Sequence, residues 1–275
     1  MKVSLIQMNS VADKAVNVAS AVRLIERAVD EEGPDWIALP ECFDFLGGAR
    51  AEKFAAAEPF PDGPAYRAMQ ELAARRKVFI HAGSILERPE FGERIHNTTV
   101  VFDRSGGEIA RYRKIHMFDV TTPDGARYHE SSAFAPGDRV VTYRCGDMTV
   151  GCAICYDLRF PALFQELALR GADMIALPAA FTLQTGKDHW ETLCRARAIE
   201  TQCFFCAPAQ IGAHMAGGER RLTYGHSLVA DPWGHVIAKA SDGVGLVTAR
   251  LDPALIGRVR AQIPVASHRT AFAPG

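Results

Sequence analysis

The sequence predicts an α/β fold in which mixed β-sheets are covered by helices. Helical segments alternate with short apolar strands, the order expected of an α/β protein. Strand-like segments also occur in adjacent pairs joined by turns, which favours mixed sheets over a purely parallel sheet. Residues 35–43 (DWIALPECF) resemble residues 173–181 (DMIALPAAF). This repeat indicates two similar halves related by a pseudo-twofold axis, although Leu-Pro endings could also recur independently in buried strands.

The first half of the chain predicts an N-terminal strand followed by helices and buried strands. Apolar residues recur at helical spacing over residues 15–29, and Gly33 ends that helix. The other predicted elements are strands at residues 3–8, 36–40, 78–82 and 97–102, a helix around residues 66–73 and a turn at residues 105–107.

The second half continues the alternation, with Pro161 opening a helix. Its predicted strands lie at residues 140–144, 149–154, 174–177, 203–209, 224–230, 235–239 and 245–251, and its helices at residues 161–170, near 188–201 and from Pro253. No linker or low-complexity tract divides the chain. We therefore expect a single domain over residues 1–275, with a core of about residues 1–251 and a C-terminal extension over residues 252–275.

Composition and charge narrow the classes of function. The formal net charge is −1, with 31 lysine and arginine residues against 32 aspartate and glutamate residues, so no broad electrostatic field favours nucleic acid or an anionic membrane as a partner. No apolar run is long enough to span a bilayer, and the N-terminus lacks the features of a signal peptide. The seven cysteines lie scattered in apolar segments, so a disulfide framework is not expected. These features predict a cytoplasmic protein with small-molecule partners.

Cys155 is the first candidate for chemistry. It lies between an apolar strand and Pro161, at a strand-to-helix turn where a side chain projects from the sheet edge and backbone N–H groups favour negative charge. An ordinary thiol is only a few per cent ionised at neutral pH, so a base or a cation must lie beside it. A structural role is the alternative for a cysteine at such a turn.

Glu41 and Lys114 are the charged candidates that could activate this thiol. Glu41 follows an apolar strand at an expected sheet edge, where a partly desolvated carboxylate can act as a base. The internal repeat has Ala179 at the corresponding position, so the strand geometry itself does not require a carboxylate. Lys114 lies in a basic segment interrupted by Ile115 and Met117, which makes it more apolar than an ordinary solvated face. Surface positions remain the alternative for both.

Other chemistries are supported less well by the sequence. Nine histidines leave a Cys-His pair open, but none lies at an obvious position. The pairs Cys152/Cys155 and Cys203/Cys206 have zinc-like spacing, yet both lie in strand-like segments in which residues three apart point to opposite faces. A thioredoxin-type pair would place the first cysteine, not the second, at the helix start. Nucleotide-binding glycine motifs are absent from the sequence.

Three ordered segments together resemble the signature of the nitrilase (carbon-nitrogen hydrolase) superfamily. They are residues 39–41 (LPE), 113–119 (RKIHMFD) and 151–161 (GCAICYDLRFP). The resemblance covers nearly the whole chain and continues through residues 130–131 (ES), 189–191 (HWE), 195–200 (RARAIE), 225–227 (GHS) and 231–234 (DPWG). These later segments are most similar to the Nit amidase branch, whose members act on deaminated glutathione or on omega-amides of 2-oxo acids.

The resemblance implies a four-layer αββα sandwich that pairs into a homodimer or a larger homo-oligomer. It also implies a Glu-Lys-Cys triad that works without a metal or an organic cofactor. Glu41 would be the general base, Lys114 the oxyanion stabiliser and Cys155 the nucleophile, with Glu130 a second glutamate beside the lysine. The loop at residues 121–127 (TTPDGAR) departs from the family pattern and weakens any transfer of substrate identity.

The predicted reaction is hydrolysis of a small-molecule carboxamide to a carboxylate and ammonia, with water as the second reactant and a thioester on Cys155 as the intermediate. We expect the substrate to contact Tyr156 beside the nucleophile and Phe181, Thr182 and Lys187 after a strand. Two alternatives stay open. One is another activity of the superfamily, N-carbamoyl amide hydrolysis or N-acyl transfer, and the other is a non-catalytic scaffold of the same fold.

Overall fold

Helices and short strands alternate through the computed structural model, which describes residues 1–270. The helices are α1 (Lys14–Glu32), α2 (Arg50–Ala56), α3 (Pro64–Arg76), α4 (Pro161–Leu169), α5 (Leu183–Thr201), α6 (Pro253–Gln262) and α7 (Val265–His268). The strands are β1 (Lys2–Gln7), β2 (Trp36–Ala38), β3 (Phe79–His81), β4 (Ile85–Glu87), β5 (His96–Phe102), β6 (Glu108–Arg113), β7 (Asp119–Thr121), β8 (Arg127–His129), β9 (Thr142–Cys145), β10 (Met148–Cys152), β11 (Met174–Ala176), β12 (Phe204–Ala207), β13 (Ile211–Ala216), β14 (Glu219–Tyr224), β15 (Leu228–Ala230), β16 (Val236–Lys239) and β17 (Gly245–Arg250). Short 3₁₀ turns cover Glu130–Ser132 and Cys155–Arg159.

Two mixed sheets form the centre of the molecule. The first has the strand order β17-β1-β2-β3-β5-β4, with β6 paired to β5, and the second has the order β16-β15-β12-β11-β10-β9. Strands β1, β2 and β3 are parallel, as are β10, β11 and β12, and antiparallel strands flank both sets. The two repeated sequence segments occupy β2 and β11, each the middle strand of its parallel set. This equivalence agrees with the predicted pseudo-twofold halves.

Apolar burial stacks the elements in four layers. Inward-facing residues of the first sheet, such as Trp36, pack with those of the second, such as Val150, in one continuous cluster. The Nε1–H of Trp36 donates to the hydroxyl of Tyr143 in the second sheet at 2.9 Å. Outward-facing residues of the first sheet pack on α1 and α3, while α4 and α5 cover the second sheet. The predicted αββα sandwich is confirmed.

The predicted and observed elements differ mainly around the hairpins. The prediction of one strand over residues 224–230 is wrong, because β14 ends at Tyr224 and β15 begins at Leu228. Gly225 and His226 between them have φ values of +70° and +57°, which break an extended strand. Helix α5 begins at Leu183 rather than near residue 188. Within residues 1–270, none of the helices has both the length and the apolar character needed to cross a bilayer.

Candidate active site

Glu41 lies where the first sheet meets the second. It follows the end of β2 by three residues, and only 4% of its surface is exposed. Its Oε1 accepts a hydrogen bond from Nδ2 of Asn97 at 2.8 Å, and its Oε2 accepts one from the backbone N–H of Ala180 at 2.8 Å. Since Ala180 follows β11, this carboxylate links the corresponding ends of the two repeated segments.

The ammonium group of Lys114 lies between two carboxylates. Its Nζ donates to Oε1 of Glu41 at 3.0 Å and to Oε1 and Oε2 of Glu130 at 3.0 and 2.8 Å. Burial lowers the pKa of Lys114, but the charges of Glu130 and Glu41 outweigh burial and hold this pKa well above its ordinary value. The lysine is therefore a fixed cation at neutral pH. Glu130 is itself held by the backbone N–H of Phe118, which donates to its Oε2 at 2.6 Å.

Cys155 occupies a tight turn beyond the end of β10. Its φ of +45° is in the left-handed region, which is uncommon for residues other than glycine. Its backbone N–H donates to the carbonyl oxygen of Pro178 at 2.9 Å, which fixes the turn to the segment after β11. The residue is 7% exposed and lines the same cavity as Glu41 and Lys114. The strained turn thus aims the sulfur at the charged pair.

The surroundings of the sulfur keep it protonated at rest. Burial raises the pKa of the Cys155 thiol well above its ordinary value, and the neighbouring carboxylate of Glu41 raises it further, both by its charge and by a hydrogen bond. Lys114 and the backbone N–H of Ala180 act in the opposite direction without cancelling these effects. Any attack by the sulfur must therefore include transfer of its proton to a base, and Glu41 is the carboxylate in contact with it.

Asp157 joins the turn of Cys155 to the segment of Lys114. Its side chain is fully buried, and Oδ2 accepts hydrogen bonds from the hydroxyl of Tyr112 at 2.7 Å and the backbone N–H of Ile154 at 2.8 Å. Oδ1 accepts from the backbone N–H of His116 at 3.1 Å and lies 2.7 Å from Nδ1 of the same residue. One carboxylate thereby sets the distance between two parts of the site.

A cavity of about 450 Å³ opens above these side chains. The loop after Glu41 and the helix α2 form one wall, and the hairpins β7–β8 and β13–β14 form others. Gly47 packs so closely on β13 that a Cβ atom there would lie 2.2 Å from the carbonyl oxygen of Met215. The cavity has the size typical of a small-molecule site.

The structure brings together most of the residues that the sequence suggested. Glu41, Lys114, Glu130 and Cys155 line the cavity, and so do Tyr156, Phe181 and Thr182. Lys187 is different: its side chain is 54% exposed, its Nζ pairs with Asp188 at 2.7 Å, and it is not part of the cavity wall. The cause is the position of Lys187 on α5, because Gly186 packs directly on Tyr224 and the following side chain points away.

Sequence reasoning missed three kinds of site residue. Asn97 orients the carboxylate of Glu41, and its only signal was a polar residue in an apolar strand. Asp157 lay within a signature segment but was given no role. His214 and Arg221 line the cavity from β13 and β14, a hairpin that the sequence did not predict.

The zinc-like cysteine pairs do not form a metal cluster. Cys152, Cys203 and Cys206 are fully buried in or beside strands, and the thiol of Cys206 contacts the sulfur of Met174. Over residues 1–270, histidine, cysteine and carboxylate side chains nowhere gather in threes in a way that could hold a metal ion.

Comparisons with known proteins agree with this geometry. The carbon-nitrogen hydrolase family matches residues 2–261. A deaminated glutathione amidase from Synechocystis sp. is 41% identical over 268 residues, which cover 96% of each chain. The NitFhit protein of Caenorhabditis elegans superposes with a TM-score of 0.88 and 37% identity, covering 98% of this chain and 64% of that one. Nit3 of Saccharomyces cerevisiae, described as a member of branch 10 of the nitrilase superfamily, superposes with a TM-score of 0.87 and 31% identity over 98% of this chain and 96% of its own. The chain therefore belongs to the carbon-nitrogen hydrolase family of the nitrilase superfamily.

Proposed function

We propose that this chain hydrolyses an amide of a small molecule through a thioester on Cys155. The observation that supports this most is the convergence of Glu41, Lys114 and Cys155 in one cavity. We further propose deaminated glutathione, or a related omega-amide of a 2-oxo acid, as the substrate. The names of the similar curated proteins from Synechocystis sp. and Homo sapiens, both deaminated glutathione amidases, support this choice.

The first chemical step forms the thioester. Glu41 takes the proton of the Cys155 thiol while the sulfur attacks the amide carbon, because burial and the negative carboxylate disfavour a free thiolate. The oxygen of the tetrahedral intermediate then carries a negative charge. Lys114 and the backbone N–H of Tyr156 stabilise that charge. The N–H of Tyr156 can donate to the oxyanion because N–H groups in the first turn of a helix have no acceptor within the helix.

The second step restores the enzyme. The protonated Glu41 returns its proton to the departing amine, and the same carboxylate then activates a water molecule that hydrolyses the thioester. A primary omega-amide releases ammonia in this scheme. In deaminated glutathione the amide nitrogen belongs to cysteinylglycine, so that dipeptide is the leaving group and 2-oxoglutarate is the acid released.

Glu130 acts in this proposal as a positioning residue. Both of its carboxylate oxygens accept hydrogen bonds from Nζ of Lys114, and the N–H of Phe118 fixes the carboxylate in turn. The second negative charge keeps Lys114 protonated and aimed at the cavity throughout the reaction.

Release of 2-oxoglutarate from deaminated glutathione and from 2-oxoglutaramate tests the proposed function. We expect hydrolysis of one or both by the unaltered protein and none by Cys155→Ser. Cys42→Ser is the matched control, since Cys42 lines the same cavity but its thiol is not the proposed nucleophile, and we expect it to retain activity. Transfer of the acyl group to an added amine in preference to water would favour an acyltransferase. Lack of hydrolysis, together with inertness of Cys155 to alkylators, would favour a scaffold.

Assembly and location follow as part of the same proposal. We infer that residues 1–275 act as one domain that forms a homodimer through the outer helical layer, where Leu169 and Ile199 are 65% and 50% exposed. Light scattering after size exclusion tests the dimer, with a monomer contradicting it. The seven cysteines are all free, which supports a reducing compartment such as the cytoplasm.

A further inference from the structure

The hairpin β13–β14 places two basic side chains, each with at least one nitrogen that lacks a hydrogen-bond partner, in the wall of the cavity. His214 and Arg221 face each other across the hairpin and both line the cavity. Within residues 1–270, six buried side-chain nitrogen and oxygen atoms lack a hydrogen-bond partner. Three of these are Nδ1 of His214 and Nε and Nη1 of Arg221. Unpaired polar atoms are costly to bury, so their concentration in one cross-strand pair indicates a missing partner.

The guanidinium of Arg221 is held in place by the neighbouring hairpin. It lies over the ring of Tyr128, 4.2 Å from the ring centroid, and its Nη2 donates to the carbonyl oxygen of Arg127 at 3.1 Å. The same nitrogen pairs with Glu219 at 2.6 Å, but the side chain of Glu219 is 67% exposed and gives a solvent-screened contact. Arg221 is thus a fixed cation that spans both hairpins while two of its nitrogens stay free.

The charge balance of the cavity favours an anion on this side. Among the described residues 1–270, the acidic residues in the cavity wall are Glu41 and Glu130, and Lys114 pairs with both. Four further cationic side chains line the same wall: Arg50, Lys53, Arg127 and Arg221. Burial, together with the charges of Lys53 and Arg221, lowers the pKa of His214 to about 4, so this histidine is neutral at physiological pH and adds no charge of its own. Among residues 1–270, the cavity wall therefore holds no further carboxylate to balance these cations, and Glu219, which pairs with Arg221, lies outside the wall.

Distance along the hairpin separates this cation from the reacting atoms. Thr223 on β14 pairs with Thr182, and Tyr224 donates its N–H to the carbonyl oxygen of Phe181, so the base of the hairpin adjoins the segment of Ala180. Arg221 lies two residues before Thr223, which is roughly 7 Å along an extended strand. A substrate that reaches both places needs several atoms between its amide carbon and its anionic group.

We propose that Arg221 is a specificity-determining residue that binds a carboxylate of the substrate, with His214 beside it as a neutral hydrogen-bonding partner. The inference rests on the proposed function, because it assigns a binding partner to the same cavity. A carboxylate could belong to the acyl part of the substrate or to its leaving amine. Arg221 would bind a carboxylate at either position in the same way, and binding measurements with separate probes distinguish the two positions.

Calorimetric titration of the Cys155→Ala protein tests the proposal without any turnover. The probes are glutaramate, which has an amide and a carboxylate, the neutral diamide glutaramide, and cysteinylglycine as the leaving amine. When Arg221→Gln is added to the Cys155→Ala protein, we expect binding of glutaramate or of cysteinylglycine to weaken by about 10- to 100-fold, the usual loss for a charged hydrogen-bonded contact. Weaker binding of glutaramate would assign the carboxylate to the acyl part of the substrate, and weaker binding of cysteinylglycine would assign it to the leaving amine. Glutaramide should bind equally to both proteins.

Arg220→Gln is the matched control, because Arg220 is the exposed neighbour and does not line the cavity. We expect it to leave all three affinities unchanged. Unchanged binding of both carboxylate probes after Arg221→Gln would overturn the proposal, as would absence of carboxylate binding to the Cys155→Ala protein itself. Equal weakening of glutaramide would show general damage to the cavity and would also overturn it. A protein that binds carboxylates through Arg221 but hydrolyses no amide would refute the proposed function and leave this inference standing.

Discussion

Asp157→Asn tests whether one buried carboxylate holds the two parts of the site together. Asparagine has the same shape, but its NH₂ group must face one of two pairs of hydrogen-bonding groups. One pair includes the backbone N–H of Ile154 and the other the backbone N–H of His116, so one buried N–H loses its acceptor in either orientation. That loss costs about 1–3 kcal/mol, and each remaining charged bond weakens by about 1 kcal/mol when the charge is removed. We expect a destabilisation of about 3–5 kcal/mol.

Urea unfolding and steady-state kinetics measure the two consequences separately. The free energy of unfolding should fall by about 3–5 kcal/mol. In the absence of urea, at pH 7.5, kcat should fall about 10- to 100-fold, because the turn of Cys155 is no longer fixed to the segment of Lys114. Asp138→Asn is the control, since the Asp138 side chain is 92% exposed and should change stability by less than about 0.5 kcal/mol. A change below about 1 kcal/mol for Asp157→Asn with unaltered kcat would refute the positioning role.

Two further substitutions separate the roles of the charged pair. Lys114→Met should lower kcat by about 10²–10³-fold, the usual loss for one oxyanion donor. Lys14→Met is the control, because it removes a cation from another pair of buried carboxylates. It should reduce stability in urea but change kcat by no more than a few-fold. Equal rate losses for the two variants would contradict the assignment. Glu41→Gln should lower kcat by about 10²–10⁴ yet speed alkylation of Cys155 by iodoacetamide at pH 8, because removing the carboxylate charge lowers the pKa of the thiol. Slower alkylation in that variant would show that Glu41 ionises the thiol at rest.

The layered fold could be predicted because its signals are local. Apolar spacing over residues 15–29 gave α1, and the repeated DWIALP and DMIALP segments gave the middle strand of each sheet. The hairpins β7–β8 and β13–β14 could not be predicted in the same way. Strand β13 contains Gly212, Ala213 and His214, which have little strand character, and contact with the loop at Gly47 and Gly48 holds it in place. Tertiary contact, and not local preference, fixes that part of the chain.

The reacting residues were easier to predict than the binding residues. Glu41 and Cys155 each follow a recognisable strand, so sequence position placed both near sheet edges. Lys114 was indicated differently, by a basic segment that is more apolar than an ordinary solvated face, and it follows β6 in the structure. Lys187 was selected, like Glu41 and Cys155, by its position after a strand and lies outside the cavity wall, since such a position does not determine the rotation of a helix. Arg221 could not have been selected, because its place in the cavity depends on two hairpins that meet through Tyr128.

Mass spectrometry of protein quenched with acid during turnover tests the central claim most directly. Digestion and mapping should find the acyl group of the substrate on the peptide that contains Cys155, with a mass that corresponds to a thioester, and hydroxylamine should remove it. Cys42 provides an internal comparison, since it lines the same cavity and lies next to Glu41. An acyl group on Cys42 or on any other cysteine, or turnover that persists in Cys155→Ala, would contradict the account.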